Sequence, residues 1–320
     1  MDFCKICNSE TGVKIYKVKE MMLGLNESFE YVECQKCGCL QIKDPPPDIS
    51  KYYPKTYYSL KKVSSKPDNN FVSFLRQQRA QYGMFGKNII GKSVSRLSRV
   101  PKFYEWFRKA RIKFESCILD VGCGNGQLLL TLRKEGFNNL TGIEPHIEND
   151  IFYECGVKIL KKELSELNQQ FDFIMLNHSF EHMDEPERVL KELYRLLKTD
   201  RYLMIRIPVI PSYAFRKYGT NWVQLDAPRH QFIYTKGGLK ILADKTGFQL
   251  VDVVFDSYEI QFWGSEQYLR GIHLMDSDSY GQNPKGSIFS KEDIVSFKKK
   301  ANELNKKNDG DQAAFYIYKH

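Results

Sequence analysis

The chain of 320 residues has no apolar run near the ~18 residues that a membrane-spanning helix requires. Residues 1–10 also lack the apolar core of a secretory signal. No segment repeats, and no glycine loop ends in Lys-Ser or Lys-Thr as a phosphate-binding loop would. These absences argue against a membrane-spanning, secreted or repeat protein and against a P-loop nucleotide-binding protein. We therefore expect a cytoplasmic protein in a reducing compartment, where disulfides are rare.

Acidic residues are scarce in one part of the chain. Residues 51–113 hold 16 Lys and Arg but only Asp68 and Glu105, and the whole chain has a net charge of +9. The same segment contains these aromatic residues: Tyr52, Tyr53, Tyr57, Tyr58, Phe71, Phe74, Tyr82, Phe85, Phe103, Tyr104, Trp106 and Phe107. Three interpretations stay open: a helical cover over a cofactor cleft, a site for a phosphate-bearing small molecule or glycan, and a nucleic-acid surface. The first two are favoured, because no motif of a known nucleic-acid-binding module is present.

Composition divides the chain into three parts. Residues 1–43 are a cysteine-rich module, and the proline run at 44–48 is a stiff break after it. Residues 44–113 form a basic, aromatic-rich connector or lid, which we expect to be helical. Residues 114–320 are long enough for a separate cofactor-binding domain. The oligomeric state, including a homo-oligomer, stays open.

A glycine-rich turn is the most informative motif. The apolar residues 117–119 lead into Asp120-Val121-Gly122-Cys123-Gly124-Asn125-Gly126, and a helical pattern begins at Gln127. Glycines let the backbone turn tightly and approach a ligand closely. The start of a helix adds free N–H groups and a partly positive end. The pattern therefore predicts a nucleotide-type cofactor site.

The glycine spacing discriminates among cofactors. A dinucleotide fingerprint has glycine at its sixth position, where this chain has Gln127. Glu144 ends the next predicted strand, and an acidic residue about 20 positions after the turn suits two ribose hydroxyls. Glu144 could instead cap the following helix. The motif Asp-x-Gly-x-Gly-x-Gly resembles the first motif of class I S-adenosylmethionine-dependent methyltransferases.

That resemblance implies a set of cofactor-binding residues. In the family, the glycine turn lies against the methionine moiety and the acidic residue faces its amino group. Glu163 would lie near the adenine, and Asn177 opens a segment that closes over the methionine end. The residues implied to bind S-adenosylmethionine are Asp120, Gly122, Cys123, Gly124, Gly126, Glu144, Glu163 and Asn177. We expect the cysteine side chains at 117, 123 and 155 to pack in or beside the core.

Strands and helices alternate after residue 114, which predicts an α/β fold with a parallel sheet covered on both faces. Apolar residues at helical spacing between 189 and 197 predict one helix with a buried face. The strands are expected at 117–119, 140–144, 157–160, 171–176, 202–207, 248–255 and 313–318. The resemblance implies a Rossmann-like sheet of seven strands whose last strand is antiparallel.

Two cysteine pairs form a second strong motif. Cys4-x-x-Cys7 and Cys34-x-x-Cys37 supply four thiolates, which is the ligand set of structural Zn²⁺. The residues between the pairs are expected to form a β-hairpin that needs the metal to fold. Disulfides or a redox pair are the alternatives, and Cys39 is taken as a bystander. A closed four-thiolate site leaves no open position for chemistry.

A sugar hydroxyl is a poor nucleophile when neutral, so its methylation would benefit from a general base such as histidine. His178 and His182 follow the fourth predicted strand and share a face if that segment is helical. His230 lies in an insertion after the fifth strand, where ligands of such sheets bind. We expect His230 or His178 to be the base, with His182 a further candidate and Asp226 or Glu181 orienting it. Each histidine could instead have a structural hydrogen-bonding role.

The order of the motifs resembles one subgroup along most of the chain. A cysteine ribbon, Tyr52-Tyr53-x-x-x-Tyr57-Tyr58, the glycine turn and Trp-x-x-Leu-Asp-Ala-Pro-Arg-His at 222–230 are similar to zinc-ribbon class I methyltransferases of bacterial sugar and polysaccharide biosynthesis. The resemblance implies methylation of a sugar hydroxyl on a nucleotide sugar or glycan.

Other activities remain open. Related nucleotide-sugar C-methyltransferases usually have an extra C-terminal domain that this chain is too short to hold, so O-methylation is favoured over C-methylation. An RNA or protein methyltransferase could use the basic connector to bind a polymer. A non-enzymatic interaction protein would fail to bind the cofactor, which the intact turn at 120–126 argues against.

Overall fold

The computed structural model describes residues 3–10, 14–54, 69–98 and 100–320. Tyr57, Tyr58 and Asp68 of the basic segment lie outside the described residues. The chain forms two compact units. The first comprises Met1–Pro54, His178–Leu190 and Ile205–Phe315, and the second comprises Lys55–Asn177, Lys191–Met204 and Tyr316–His320.

The strands of the described residues form two sheets. They are β1 (Ile15–Lys19), β2 (Ser28–Glu33), β3 (Leu40–Ile42), β4 (Ile118–Val121), β5 (Leu140–Ile143), β6 (Ile151–Phe152), β7 (Lys158–Leu160), β8 (Phe171–Asn177), β9 (Leu197–Pro208), β10 (Phe232–Ile233), β11 (Gln249–Phe255) and β12 (Gln312–Lys319).

The helices of the described residues are mostly short. They are α1 (Asn70–Phe85), α2 (Ile89–Leu97), α3 (Phe103–Lys109), α4 (Gln127–Lys134), α5 (Pro186–Leu196), α6 (Tyr213–Tyr218), α7 (Lys236–Lys245), α8 (Ile260–Leu269) and α9 (Lys291–Lys306). Side-chain caps explain several starts: Asn69 accepts from the backbone N–H of Val72, and Ser290 from that of Asp293. None of the described helices is both long and apolar enough to cross a membrane.

The larger sheet has the strand order β11-β12-β9-β8-β4-β5-β7-β6. Strand β4 pairs in parallel with β5 and β8, so Asp120 lies opposite Gly142 and Met175. This mixed sheet with an antiparallel last strand confirms the predicted Rossmann-like α/β fold. It contains eight strands rather than seven, because the two-residue β6 adds an antiparallel edge strand beside β7.

The smaller sheet has the order β1-β2-β3-β10 and lies in the first unit. The predicted hairpin is confirmed, since β1 and β2 pair antiparallel. Strand β3 then pairs with β10, which places Ile233 opposite Leu40. The cysteine-rich module therefore shares its sheet with residues far along the chain, and the boundaries at 43 and 113 stay predictions.

Some basic residues of the second unit pair with a buried carboxylate. Glu135 is buried, and the guanidinium groups of Arg76 and Arg79 and the hydroxyl of Tyr104 converge on its carboxylate. A buried carboxylate must be paired in this way, because an unpaired charge away from water costs several kcal/mol. Arg76 and Arg79 are therefore used inside the fold rather than offered to a ligand.

Candidate functional site

The glycine turn joins β4 to α4 in the second unit. Gly122, Gly124 and Gly126 all have positive φ, at 71°, 53° and 77°. Other residues rarely adopt that conformation, which explains the alternating glycines. A Cβ atom on Gly126 would also lie 2.5 Å from Cδ1 of Ile159. Helix α4 begins at Gln127, as the sequence predicts.

Two buried carboxyl groups flank this turn. Oε2 of Glu144 accepts a hydrogen bond from the N–H of Gly124 at 3.0 Å, and Oε1 accepts from His146 at 3.2 Å. Asp120 is 3% exposed, and its burial together with the nearby Glu144 raises the pKa of Asp120 to about 8. A cation beside these groups would relieve both effects. The pair therefore suits a ligand that carries an ammonium group and hydroxyls.

The other residues predicted to bind the cofactor lie in different environments. The sulfur of Cys123 occupies the space that a Cβ on Gly142 would need, so it packs inside the turn. Asn177 ends β8. Glu163 is exposed and begins a short 3-10 turn, where its backbone N–H donates to Oε2 of Glu166 at 2.7 Å. The role of Glu163 beside an adenine stays a prediction.

One contact of the turn was not predicted from the sequence. The hydroxyl of Tyr153 donates to the backbone carbonyl of Asn125 at 2.7 Å. Tyr153 follows β6, and no motif marks it. The segment after β6 is therefore hydrogen-bonded to the glycine turn at Asn125.

The four motif cysteines meet in the first unit. The sulfur atoms of Cys4, Cys7, Cys34 and Cys37 are buried and lie within 4.8 Å of one another. Sulfur atoms of a tetrahedral zinc site, each about 2.3 Å from the metal, are separated by about 3.8 Å. The Cys4–Cys37 and Cys7–Cys34 separations are 3.6 and 3.4 Å, which fit that spacing and are too long for disulfides. Cys39 instead contacts Thr235, whose N–H lies 3.3 Å from its sulfur.

A buried cluster of Glu181, His182 and His230 also lies in the first unit. One ligand atom from each of the three residues lies within 4.8 Å of the others. Glu181 is fully buried, and neither of its carboxylate oxygens makes a well-aligned hydrogen bond in the described part of the chain, although Nδ1 of His178 lies 3.3 Å from Oε1. Burial opposes ionisation of Glu181, but the nearby histidines, led by the contact with His178, lower the pKa of Glu181 to about 2.

Hydrogen bonds to carbonyl groups define the tautomers of two histidines. Nδ1 of His230 lies 2.8 Å from the backbone oxygen of Gln224, and Nδ1 of His182 lies 2.8 Å from that of Arg229. A carbonyl oxygen only accepts, so both Nδ1 atoms carry a proton, and in the neutral form of each ring Nε2 has the lone pair. Burial and the neighbouring His182 lower the pKa of His230 to about 4. His230 is therefore neutral at pH 7.

His178 has a different environment from this pair. Its Nε2 lies 2.9 Å from Nη1 of Arg206, which only donates, and its Nδ1 lies 3.3 Å from Oε1 of Glu181. Both ring nitrogens are therefore engaged. The residues from Phe180 to His182 form a single 3-10 turn, so the helical face expected for His178 and His182 does not form. His178 itself has a φ of 55°.

Asp226 is held mainly by an arginine. It accepts from Nε of Arg229 at 3.0 Å, and Nη2 of Arg229 lies 2.8 Å from Oε1 of the buried Glu20. Burial opposes ionisation of Asp226, but the positive charge of Arg229 outweighs this effect and lowers the pKa of Asp226. Oδ2 of Asp226 lies 3.9 Å from Nε2 of His230, and Tyr53 contacts Nδ1 of His182 at 3.0 Å.

Sequence reasoning missed several of these partners. Glu20, Arg206 and the Gln224 carbonyl belong to no motif. Tyr53 and Arg229 do stand in recognisable motifs, but their contacts with the histidine cluster depend on the fold. The cluster can accept a proton or hold a cation, because two lone pairs and one anion converge there.

Comparisons with known proteins agree on a general class. A family profile described as a methyltransferase domain matches residues 86–253, which is more than half of the chain. Human "EEF1A lysine methyltransferase 2" is 29% identical over 146 residues, which cover 39% of this chain and 59% of that protein. Yeast "Ubiquinone biosynthesis O-methyltransferase, mitochondrial" from Saccharomyces cerevisiae is 30% identical over 107 residues, covering 28% and 32%.

The chain is also similar to solved structures. The cyclopropane synthase MmaA2 from Mycobacterium tuberculosis has a TM-score of 0.45 and 14% identity, and covers 78% of this chain and 94% of that chain. The matched region spans less than two thirds of the length of each of the two relatives above.

Proposed function

Because the chain belongs to the methyltransferase domain family, we propose that it transfers a methyl group from S-adenosylmethionine to a sugar hydroxyl. The acceptor is a nucleotide sugar or a glycan, and the product is an O-methyl ether. The acceptor class rests on the motif order of the sequence, in which a cysteine ribbon, a glycine turn and the 222–230 segment follow one another.

When bound, S-adenosylmethionine would supply an activated methyl group, whose bond to sulfur breaks as the acceptor oxygen bonds to the methyl carbon, leaving S-adenosylhomocysteine. Asp120 would hold the ammonium of the methionine moiety, and Glu144 would accept from the ribose hydroxyls. Gly122, Cys123, Gly124 and Gly126 would form the turn at the methionine moiety, with Glu163 near the adenine and Asn177 near the methionine end. The fit is supported by the two buried carboxyls and by the positive φ angles that place glycine at 122, 124 and 126.

The protein must also remove the proton of the acceptor hydroxyl. We assign this step to the histidine pair His182 and His230, whose Nε2 atoms have lone pairs. Glu181 stabilises the imidazolium that forms, because its anion lies 3.7 Å from Nε2 of His230. His178, first considered as the base, is a positioning residue in this scheme, since Arg206 already donates to its Nε2.

One observation carries the proposed base: the buried carboxylate of Glu181 lies 3.7 Å from Nε2 of the buried His230, whose Nδ1 is hydrogen-bonded to the Gln224 carbonyl. The direct test is a panel of acceptors with methyl-labelled S-adenosylmethionine. Nucleotide sugars and oligosaccharides are compared with RNA and with lysine-containing proteins. Label in a sugar ether supports the proposal, whereas label only in protein or RNA overturns the acceptor class.

Two alternatives have specific support. Similarity to a protein named as a lysine methyltransferase favours a protein acceptor. C-methylation of a nucleotide sugar is the other alternative, and NMR of the labelled sugar separates a C-methyl product from an ether. The four buried cysteines hold structural Zn²⁺ in either case, because their sulfur spacing fits a closed tetrahedral site.

A further inference from the structure

The outer face of α2 exposes aliphatic side chains to an unusual degree. Leu97 is 92% exposed and Ile89 86%, and Ile90 is 49% exposed. Scattered exposed apolar residues are normal, but a contiguous group of them marks an interaction surface. At positions i, i+1 and i+8, these three residues fall within an arc of about 100° around the helix axis and so share one face along the length of α2.

Packing of α2 explains why this face points outward. Gly91 is buried on the opposite side, and a Cβ atom there would overlap the backbone oxygen of Gln78 in α1. Because α2 approaches α1 through Gly91, the side chains about half a turn away cannot reach α1. The exposed residues are therefore a consequence of how the two helices pack, and both helices belong to the second unit.

Basic residues border the same face. Lys92 and Arg96 lie three and seven positions after Ile89, which places them beside it on the helix surface. Residues 69–104 contain no Asp or Glu at all. Within the described residues, Lys87, Lys92 and Arg96 form no ion pair, unlike Arg76 and Arg79, which pair with Glu135.

We propose that α2 docks this protein on the surface of an anionic phospholipid bilayer. A bilayer can bind both the apolar and the basic residues of this face. Ile89, Ile90 and Leu97 would insert at the acyl boundary, and Lys92 and Arg96 would bind the anionic headgroups. The helix lies on the membrane and does not span it, since no described helix is long and apolar enough to do so.

Two other occupants fit less well. A second copy related by two-fold symmetry would bring the basic residues of both copies to one interface, where residues 69–104 supply no Asp or Glu to pair with them. A nucleic acid would neutralise the charges but leave the aliphatic side chains in water, because base stacking needs aromatic rings. This inference does not depend on the proposed reaction.

Vesicle binding by the full-length protein tests the proposal. Vesicles of phosphatidylcholine alone are compared with vesicles that also contain phosphatidylglycerol, and bound protein is measured by co-sedimentation without cofactor. We expect binding only to the anionic vesicles, weakened by salt. The double variant Ile89→Ser/Leu97→Ser should bind at least about tenfold more weakly, because two apolar side chains are lost from the acyl boundary.

A charge variant and a matched control complete the test. Lys92→Gln/Arg96→Gln should weaken binding about 25-fold, at about fivefold for each basic residue. Val295→Ser/Lys299→Gln replaces an exposed apolar and a basic residue on α9 and should bind like wild type. Circular dichroism establishes that each variant folds. Equal binding of all variants, no binding to anionic vesicles, or a wild-type dimer that Ile89→Ser/Leu97→Ser dissociates would each overturn the proposal.

Discussion

Oε1 of Glu181 lies 3.7 Å from Nε2 of His230, and both side chains are buried. Since Nδ1 of His230 donates to the Gln224 carbonyl, a lone pair faces the carboxylate across this gap. An anion and a lone pair repel, so the arrangement is poised to take up a proton or a cation. That property makes the cluster the centre of the proposed chemistry.

Replacing the histidine pair should abolish most turnover. His182→Gln and His230→Gln are each expected to lower kcat by about 100-fold or more, because a general base contributes about 10² to 10⁴. His178→Gln should lower kcat less, since its Nε2 accepts from Arg206 and is not available as a base. The measurement is kcat and KM for each variant with the same acceptor.

A chelator separates proton uptake from cation binding at this cluster. Turnover of the wild-type protein should persist after dialysis against EDTA, provided that the protein stays folded. Activity that disappears and returns with Mg²⁺ or Mn²⁺, while elemental analysis shows that the zinc content is unchanged, would make Glu181, His182 and His230 metal ligands and would contradict their role as a base.

Buried His230 also predicts an acid-sensitive fold. The pKa of His230 falls from 6.5 to about 4 on folding, so the unfolded chain binds this proton at a higher pH than the folded chain does. The contribution to stability is complete above pH 6.5 and is lost as the pH falls towards 4, by up to about 3 kcal/mol. Urea unfolding at several pH values measures it. His230→Gln should reduce this pH dependence, whereas the control His273→Gln should retain it.

Glu144 should be needed for cofactor affinity. Loss of a charged acceptor for buried hydroxyls costs roughly 1.5–3 kcal/mol, so Glu144→Ala is expected to weaken S-adenosylhomocysteine binding about 10- to 100-fold. Glu144→Gln keeps an acceptor for the N–H of Gly124 and should bind better than the alanine variant. Calorimetric titration gives both values. Affinity unchanged in Glu144→Ala would remove Glu144 from the cofactor site.

The cysteine cluster should contain one zinc ion per chain. Elemental analysis of purified protein is expected to find it, and Cys4→Ser or Cys37→Ser should lower both zinc content and melting temperature, because metal binding stabilises such a module. Cys117→Ser replaces a cysteine outside the cluster and should keep the metal. Zinc-free wild-type protein with an unchanged melting temperature would contradict this assignment.

Local patterns in the sequence predicted most of the fold. The start of α4 at Gln127 and the strands around the glycine turn follow from apolar runs and glycine positions, which act over a few residues. The edge strand β6 was missed because two residues carry no periodic pattern. Likewise, the pairing of β3 with β10 joins residues almost 200 positions apart, which no local pattern encodes.

The sequence indicated which residues belong to the candidate site, but it did not indicate which of them contact one another. Spacing pointed to the four cysteines, which the structure brings together, and to Asp120 and Glu144, whose role in cofactor binding stays a prediction. For the histidines the residue type was informative, but the choice between His178 and the pair depends on Arg206, which lies 28 positions from His178. Long-range hydrogen bonds set the tautomer of each ring, and a single sequence does not contain them.

The central claim is that the turn from Asp120 to Gly126 binds S-adenosylmethionine. Its most direct test is a calorimetric titration of the purified protein with S-adenosylhomocysteine and with NAD, repeated on Gly126→Val. We expect S-adenosylhomocysteine to bind, NAD not to bind, and the variant to lose affinity because its side chain would meet Ile159. Binding of NAD together with no binding of S-adenosylhomocysteine would contradict the account.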